Sequence, residues 1–183
     1  GALDRWIRAR LSGAVIEVTK AMETYEISSA TREIQEFVTD LSQWYIRRSR
    51  DRFRGENTLD KAVASRVLFE VLETTSRMIA PFVPFMAEHI WNEISAKGDS
   101  VHLSEWPEAS NPDGGVLKDM EEVRVLVSLA LDARMSAGVS VRQILGKLNV
   151  KTHVGLGHEF LDIIRDEVNV LEVVYEDGDR DIV

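Results

Sequence analysis

Cysteine is absent from the 183 residues. No disulfide, thiolate metal site or cysteine nucleophile can arise from this chain, and an intracellular setting fits. No run approaches the roughly 18 apolar residues that a membrane-spanning helix needs. No basic-then-apolar leader opens the chain, so no secretory signal is expected. No internal repeat is visible. The four histidines, His89, His102, His153 and His158, form no pair at the i, i+4 spacing of a helical zinc site. Gly155-Leu156-Gly157 lacks the third glycine and the strand–turn–helix context of a nucleotide fingerprint. No Gly-x-Ser-x-Gly elbow occurs. Glu121-Glu122 and Asp166-Glu167 are sequence neighbours, and on a helix neighbours point about 100° apart, so they do not share a site. The acidic tail of Glu172, Glu176, Asp177, Asp179 and Asp181 lacks a calcium-loop pattern. No catalytic residue and no metal site is expected.

What is present is a chain that can bury a core, with 44% apolar residues. Its length suits one domain, or one domain with an appendage. The net charge of −9 argues at first against a polyanion partner. Its distribution reverses that: residues 1–97 hold 14 basic and 14 acidic side chains, residues 98–183 hold 8 and 17. A nucleic acid would meet the first half, because phosphate contacts need local positive charge rather than a positive average.

The first hundred residues have helical periodicity. Leu3, Ile7, Leu11, Ala14, Val15, Val18 and Met22 make one stripe. Ile27, Ala30, Ile34, Phe37, Val38, Leu41 and Tyr45 make a second, with Ser28 and Ser29 as N-cap candidates and an end near Gly55. Asn57 and Thr58 can cap a third helix, whose stripe is Val63, Val67, Leu68, Val71, Leu72, Met78 and Ile79. Pro81 and Pro84 break it and restart a fourth around Met86, Ala87, Ile90, Trp91 and Ile94. Short connections between four amphipathic helices predict an antiparallel bundle. Turn formers crowd residues 97–117, where 101–106 is expected to lie extended across the bundle. A fifth helix runs from Met120 past Arg134 to Gly138. From Lys147 the period shifts toward two, then a short helix (159–167) and a valine-rich strand (168–175) follow. The fold class is mainly α, with a bundle over 1–137 and a small α/β appendage over 138–183.

Residues 43–54 read QWYIRRSRDRFR, five arginines against one aspartate. In a continuous helix Arg47, Arg50 and Arg54 fall within about 60° of each other, opposite the apolar stripe. Arg48 and Arg52 fall on the stripe itself, so the helix either outruns the core there or they pair with acids in a groove. Arginine's planar fork suits phosphates, and Trp44 offers a face on which an unpaired base can stack. Basic side chains near a helix C-terminus are also favoured by the macrodipole, which keeps a purely structural reading open. Two function classes follow: an RNA-binding bundle, or a protein-interaction scaffold whose acidic half meets a basic partner.

Residues 40–53 (DLSQWYIRRSRDRF) closely resemble the signature of the helical anticodon-binding domain of class I isoleucyl-tRNA synthetases. Asp4-Arg5-Trp6-Ile7 is similar to the opening of that domain. Residues 80–91 (APFVPFMAEHIW), 100–107 (SVHLSEWP) and Ala133-Arg134 with Val141-Arg142-Gln143 resemble its later elements. The resemblance covers roughly residues 3–175. It implies an anticodon stem-loop of isoleucine tRNA as partner, with Trp44, Arg47, Arg48, Arg50, Arg52, Arg54, Arg134 and Arg142 as candidate contacts. It also implies a catalytic domain in the same parent chain, which charges the tRNA using ATP and magnesium, and a cytoplasmic setting. Neither the ATP-binding motifs nor an editing domain is in this stretch, so no cofactor and no catalysis are expected of it. Ile144 stands where such synthetases commonly carry proline. The matching domain of valyl-tRNA synthetases is the nearest alternative.

Overall fold

The computed structural model describes residues 1–95 and 98–182. The expected start of the long loop, Lys97, lies outside the described residues. The chain forms two compact units, Leu3–Asp113 and Gly114–Val183, the latter with Gly1–Ala2. No described helix is long and apolar enough to cross a membrane.

The first unit is helical. Helix α1 (Ala2–Glu23) buries Trp6, Ile7, Leu11, Ala14, Val15 and Val18, the period expected of it. Burying a large apolar side chain fully contributes about 1.5–3 kcal/mol, so this row is a main source of stability. Helix α2 (Ile27–Asp40) buries Ala30 and Phe37, while Ile27 and Val38 remain partly exposed. Ser28 and Ser29 are not its caps. They lie inside its first turn, because the helix starts at Ile27. Arg10 of α1 ties the two helices together, donating to Glu33 at 2.5 Å and to Asp40 at 2.9 Å.

Helix α2 does not run on to Gly55 as one α-helix. Leu41–Ile46 is a π-helical stretch, and a turn at 47–49 precedes the short α3 (Arg50–Arg54). The wider turn keeps Leu41 and Tyr45 in the core. It also interrupts the regular α-helical phase, yet Arg47, Arg50 and Arg54 remain exposed and Arg48 and Arg52 half-buried, the division expected of a continuous helix. Helix α4 (Thr58–Ile79) is capped by Asn57, whose side chain accepts from the Asp60 N–H at 3.2 Å. Helix α5 (Pro84–Ile94) starts with proline in its first turn and buries Ala87 and Trp91.

Residues 101–106 do not form the expected extended crossing. Val101–Leu103 is a 3₁₀ turn. Glu88 on α5 accepts from the Ser100 hydroxyl and the Val101 N–H, both at 2.9 Å, and Trp91 Nε1 donates to the Asp99 carbonyl at 2.7 Å. These bonds curl the segment and seat Val101 against Ile79, Ala80, Ala87 and Trp91. Trp106 then anchors the loop to α1 by donating to Thr19 at 2.8 Å.

In the second unit, α6 (Gly114–Ser136) packs against α7 (His158–Val168). Sequence pattern places the boundary after residue 137, whereas the compact unit begins at Gly114 and takes in all of α6. Gly138 ends α6 at φ +67°, with its N–H on Met135 and that of Val139 on Arg134, as a left-handed glycine cap requires. Strand β1 (Leu145–Lys151) pairs in parallel with β2 (Val170–Glu176), a pairing that needs a crossover, supplied by α7. The acidic tail holds one further strand, β3 (Asp181–Ile182), antiparallel to β1.

Glu122, only 4% exposed, pins this unit. It accepts from Thr152 Oγ1 at 2.6 Å and from the Arg180 guanidinium. Burial pushes its carboxyl up, but the bonds from Arg180 and Thr152 outweigh that and hold it below the usual range. Glu122→Ala removes the partner of a buried hydroxyl and the hold on the β3 segment. It is expected to cost about 2 kcal/mol. Urea unfolding followed by circular dichroism reads this directly, and an unmoved midpoint would reject it.

Candidate nucleic-acid interface

The arginine segment is built on a buried network. Tyr45, fully inside, donates its hydroxyl to Asp4 Oδ1 at 2.9 Å. Arg52 grips the same carboxylate with both terminal nitrogens, at 2.8 and 3.0 Å. Its Nε and Nη2 reach Asp60 in the first turn of α4, at 2.8–3.1 Å. One guanidinium therefore joins the start of α1, the short α3 and the start of α4. The Asp4 side chain is 3% exposed. Burial pushes its carboxyl up, but its hydrogen bonds, those from Arg52 foremost, prevail and leave its pKa at about 2. Burial and the bond to Asp4 push the Tyr45 hydroxyl well above the ordinary phenol range. Gly55 closes α3 tightly, since a Cβ there would sit 2.9 Å from the Asp51 carbonyl oxygen.

Around this network the candidate contacts divide. Arg47, Arg50 and Arg54 are exposed. Arg47 Nε donates back to the Gln43 carbonyl at 2.9 Å, which steadies its stem. Trp44 and Arg48 are half-buried beside them in the chain. Arg52 is half-buried with its fork occupied by Asp4 and Asp60, the acid pairing that was one of its two expected fates. Arg134 and Arg142 belong to the second unit. Arg134 is 4% exposed and donates through Nη2 to the carbonyls of Ser140 and Gln143. It holds the loop that carries the exposed Arg142.

Asp4, Tyr45 and Asp60 are invisible to a charge-based reading of the sequence. Their signals are weak: an aspartate at a helix start and a tyrosine at the end of an apolar stripe. The segment offers exposed arginine forks and a half-buried indole, which suit phosphates and bases. Among the described residues no histidine or carboxylate cluster is arranged to hold a metal.

Comparison with known proteins bears on the same region. The model of the family described as the anticodon-binding domain of tRNA ligase matches residues 4–154. The isoleucine–tRNA ligase of Deinococcus radiodurans is 37% identical over 190 residues, covering 99% of this chain and 17% of that protein. That of Thermus thermophilus is 39% identical, covering 97% and 18%. That of Streptomyces avermitilis is 41% identical, covering 92% and 16%. The chain thus spans less than a fifth of the length of these relatives. The matched stretch takes in all but the first residue of the helical unit, its arginine segment included, and the chain belongs to the family of anticodon-binding domains of tRNA ligases.

Proposed function

We propose that this chain binds the anticodon stem and loop of an isoleucine tRNA, as one part of a longer isoleucine–tRNA ligase. The observation that carries the reading is the exposed set Arg47, Arg50 and Arg54 on a segment locked by Arg52. A rigid cationic segment loses little side-chain and backbone freedom on docking, so more of each phosphate contact appears as affinity. In this reading Arg47, Arg50 and Arg54 neutralise phosphates, with Arg48 and the exposed Arg142 as additional cations. Trp44 stacks on an unpaired base. Arg52 and Arg134 act from inside: the first fixes α3 and the second fixes the 140–143 loop. In the longer enzyme, binding here presents the acceptor end to a catalytic domain that uses ATP and magnesium.

The test is a titration with anticodon stem-loops of isoleucine and valine tRNAs at two salt concentrations. Preference for the isoleucine loop is expected, with affinity falling steeply as salt rises, in proportion to the phosphates neutralised. Equal binding of the two loops would reject isoleucine specificity, and preference for the valine loop would point to the valine enzyme. No binding to either would reject the RNA reading of the isolated chain and favour a protein-docking bundle.

A further inference from the structure

The turn joining α1 to α2 carries an aromatic side chain that the fold does not use. Tyr25 sits at φ 60°, in the left-handed region. Its N–H bonds to the Met22 carbonyl at 3.1 Å, and the Glu26 N–H to the Ala21 carbonyl at 2.8 Å. This is the paired-bond helix ending whose left-handed position glycine usually fills, because a Cβ is strained there. Asn169, the other non-glycine residue with positive φ among those described, offsets that strain by donating to the Val141 carbonyl at 2.9 Å. Tyr25 has no such compensation. It is 87% exposed, and its hydroxyl makes no hydrogen bond with a described residue. An exposed aromatic kept where backbone geometry favours glycine points to work done outside the fold.

Its surroundings indicate which work. A cleft of about 390 Å³ lies against the same turn, lined by Glu17, Lys20, Thr24, Glu26, Ser29 and Glu33. Glu33 is held by Arg10, which leaves Glu17, Glu26 and the hydroxyls as acceptors. With Glu33 paired, Glu17 and Glu26 outnumber Lys20 in the cleft, which disfavours a phosphate backbone. The two carboxylates suit the amino groups on the edge of a base, as acidic side chains accept from cytosine N4. An exposed aromatic side chain between two residues, Thr24 and Glu26, that line such a cleft matches how single-stranded RNA is read, with a splayed base stacked on an aromatic face and bonded along its edge. Asp4 in the first turn of α1 bonds Arg52, whereas Tyr25 follows the other end of that 22-residue helix. The two features are therefore about 30 Å apart.

We infer that Tyr25 is a stacking residue for an unpaired base of the bound RNA, whose amino edge is accepted in the adjoining cleft. The inference rests on the RNA-binding reading above. The test uses the full chain, its Tyr25→Gly, Tyr25→Ala and Tyr25→Phe variants, and the isoleucine stem-loop with 2-aminopurine at each unpaired position in turn. Tyr25→Gly is expected to melt at a higher temperature than the wild type and yet bind roughly tenfold more weakly. At one loop position the wild type quenches 2-aminopurine, Tyr25→Gly and Tyr25→Ala do not, and Tyr25→Phe restores the quenching. Replacing that base by an abasic residue should erase the affinity difference between wild type and Tyr25→Gly. Unchanged affinity and fluorescence in Tyr25→Gly and Tyr25→Ala would overturn the inference while leaving RNA binding intact. A lower melting point for Tyr25→Gly would overturn it by showing that the side chain serves the fold. Failure of the wild type to bind any loop would overturn both readings.

Discussion

Arg52→Met is expected to lower the stability of the helical unit by about 3 kcal/mol at neutral pH, a fall of roughly 10 °C in its melting temperature. The reason is what the substitution leaves behind. Asp4, with its side chain 3% exposed, loses both bonds from the guanidinium. Taking a bidentate guanidinium from a buried carboxylate is costly, more so than an apolar replacement of the whole pair. A double variant, Asp4→Asn with Arg52→Met, should accordingly recover part of the loss. The acid limb of the stability curve carries the same signature. The Asp4 pKa is lowered from 3.8 to about 2 in the folded state. Its contribution, about 2 kcal/mol, is therefore complete above the unfolded value of 3.8 and disappears as pH falls through about 2. The gap between wild type and Arg52→Met should narrow over that window. Thermal melts at pH 7, 4 and 2 measure it, and a gap that stayed constant with pH would contradict the role given to Asp4.

Reversing Arg47, Arg50 and Arg54 to glutamate together is expected to weaken stem-loop binding by more than roughly a hundredfold. The slope of log affinity against log salt should flatten by about 2–3, near 0.7–0.9 for each phosphate that is no longer neutralised. Folding should hardly change, since all three side chains are exposed and the network that fixes α3 runs through Arg52. Anisotropy titrations at several salt concentrations, paired with thermal melts, separate the two effects. Loss of binding with loss of fold would assign these arginines to structure. Retained binding with an unchanged slope would place the RNA elsewhere on the molecule.

The contrast between Arg52 and its neighbours shows how far the sequence can be read. Local charge density marks residues 43–54 as the segment of interest, and helical period marks Arg52 as lying on the buried side. Nothing local shows that its partner is Asp4, 48 residues away. The π-helical stretch is equally silent, because Leu41 and Tyr45 are as apolar on a wide turn as on an ordinary one. The same holds for Val101–Leu103, which alternates like a strand but is curled by bonds from Glu88 and Trp91. Ser28 and Ser29 look like caps by residue type, whereas the helix has already begun at Ile27.

The sequence by itself determined the mainly helical class, the α/β character of the C-terminal stretch, the Asn57 cap and the location of the arginine segment. Each is encoded by neighbours within about one or two helical turns, through periodicity, capping chemistry and charge. Only the tertiary structure decided which acids hold Arg52, where α6 packs, and that part of the acidic tail is a strand. Those outcomes depend on ion pairs and strand pairings between residues distant in the chain. A carboxylate or an edge strand acquires its partner only when packing brings the two together.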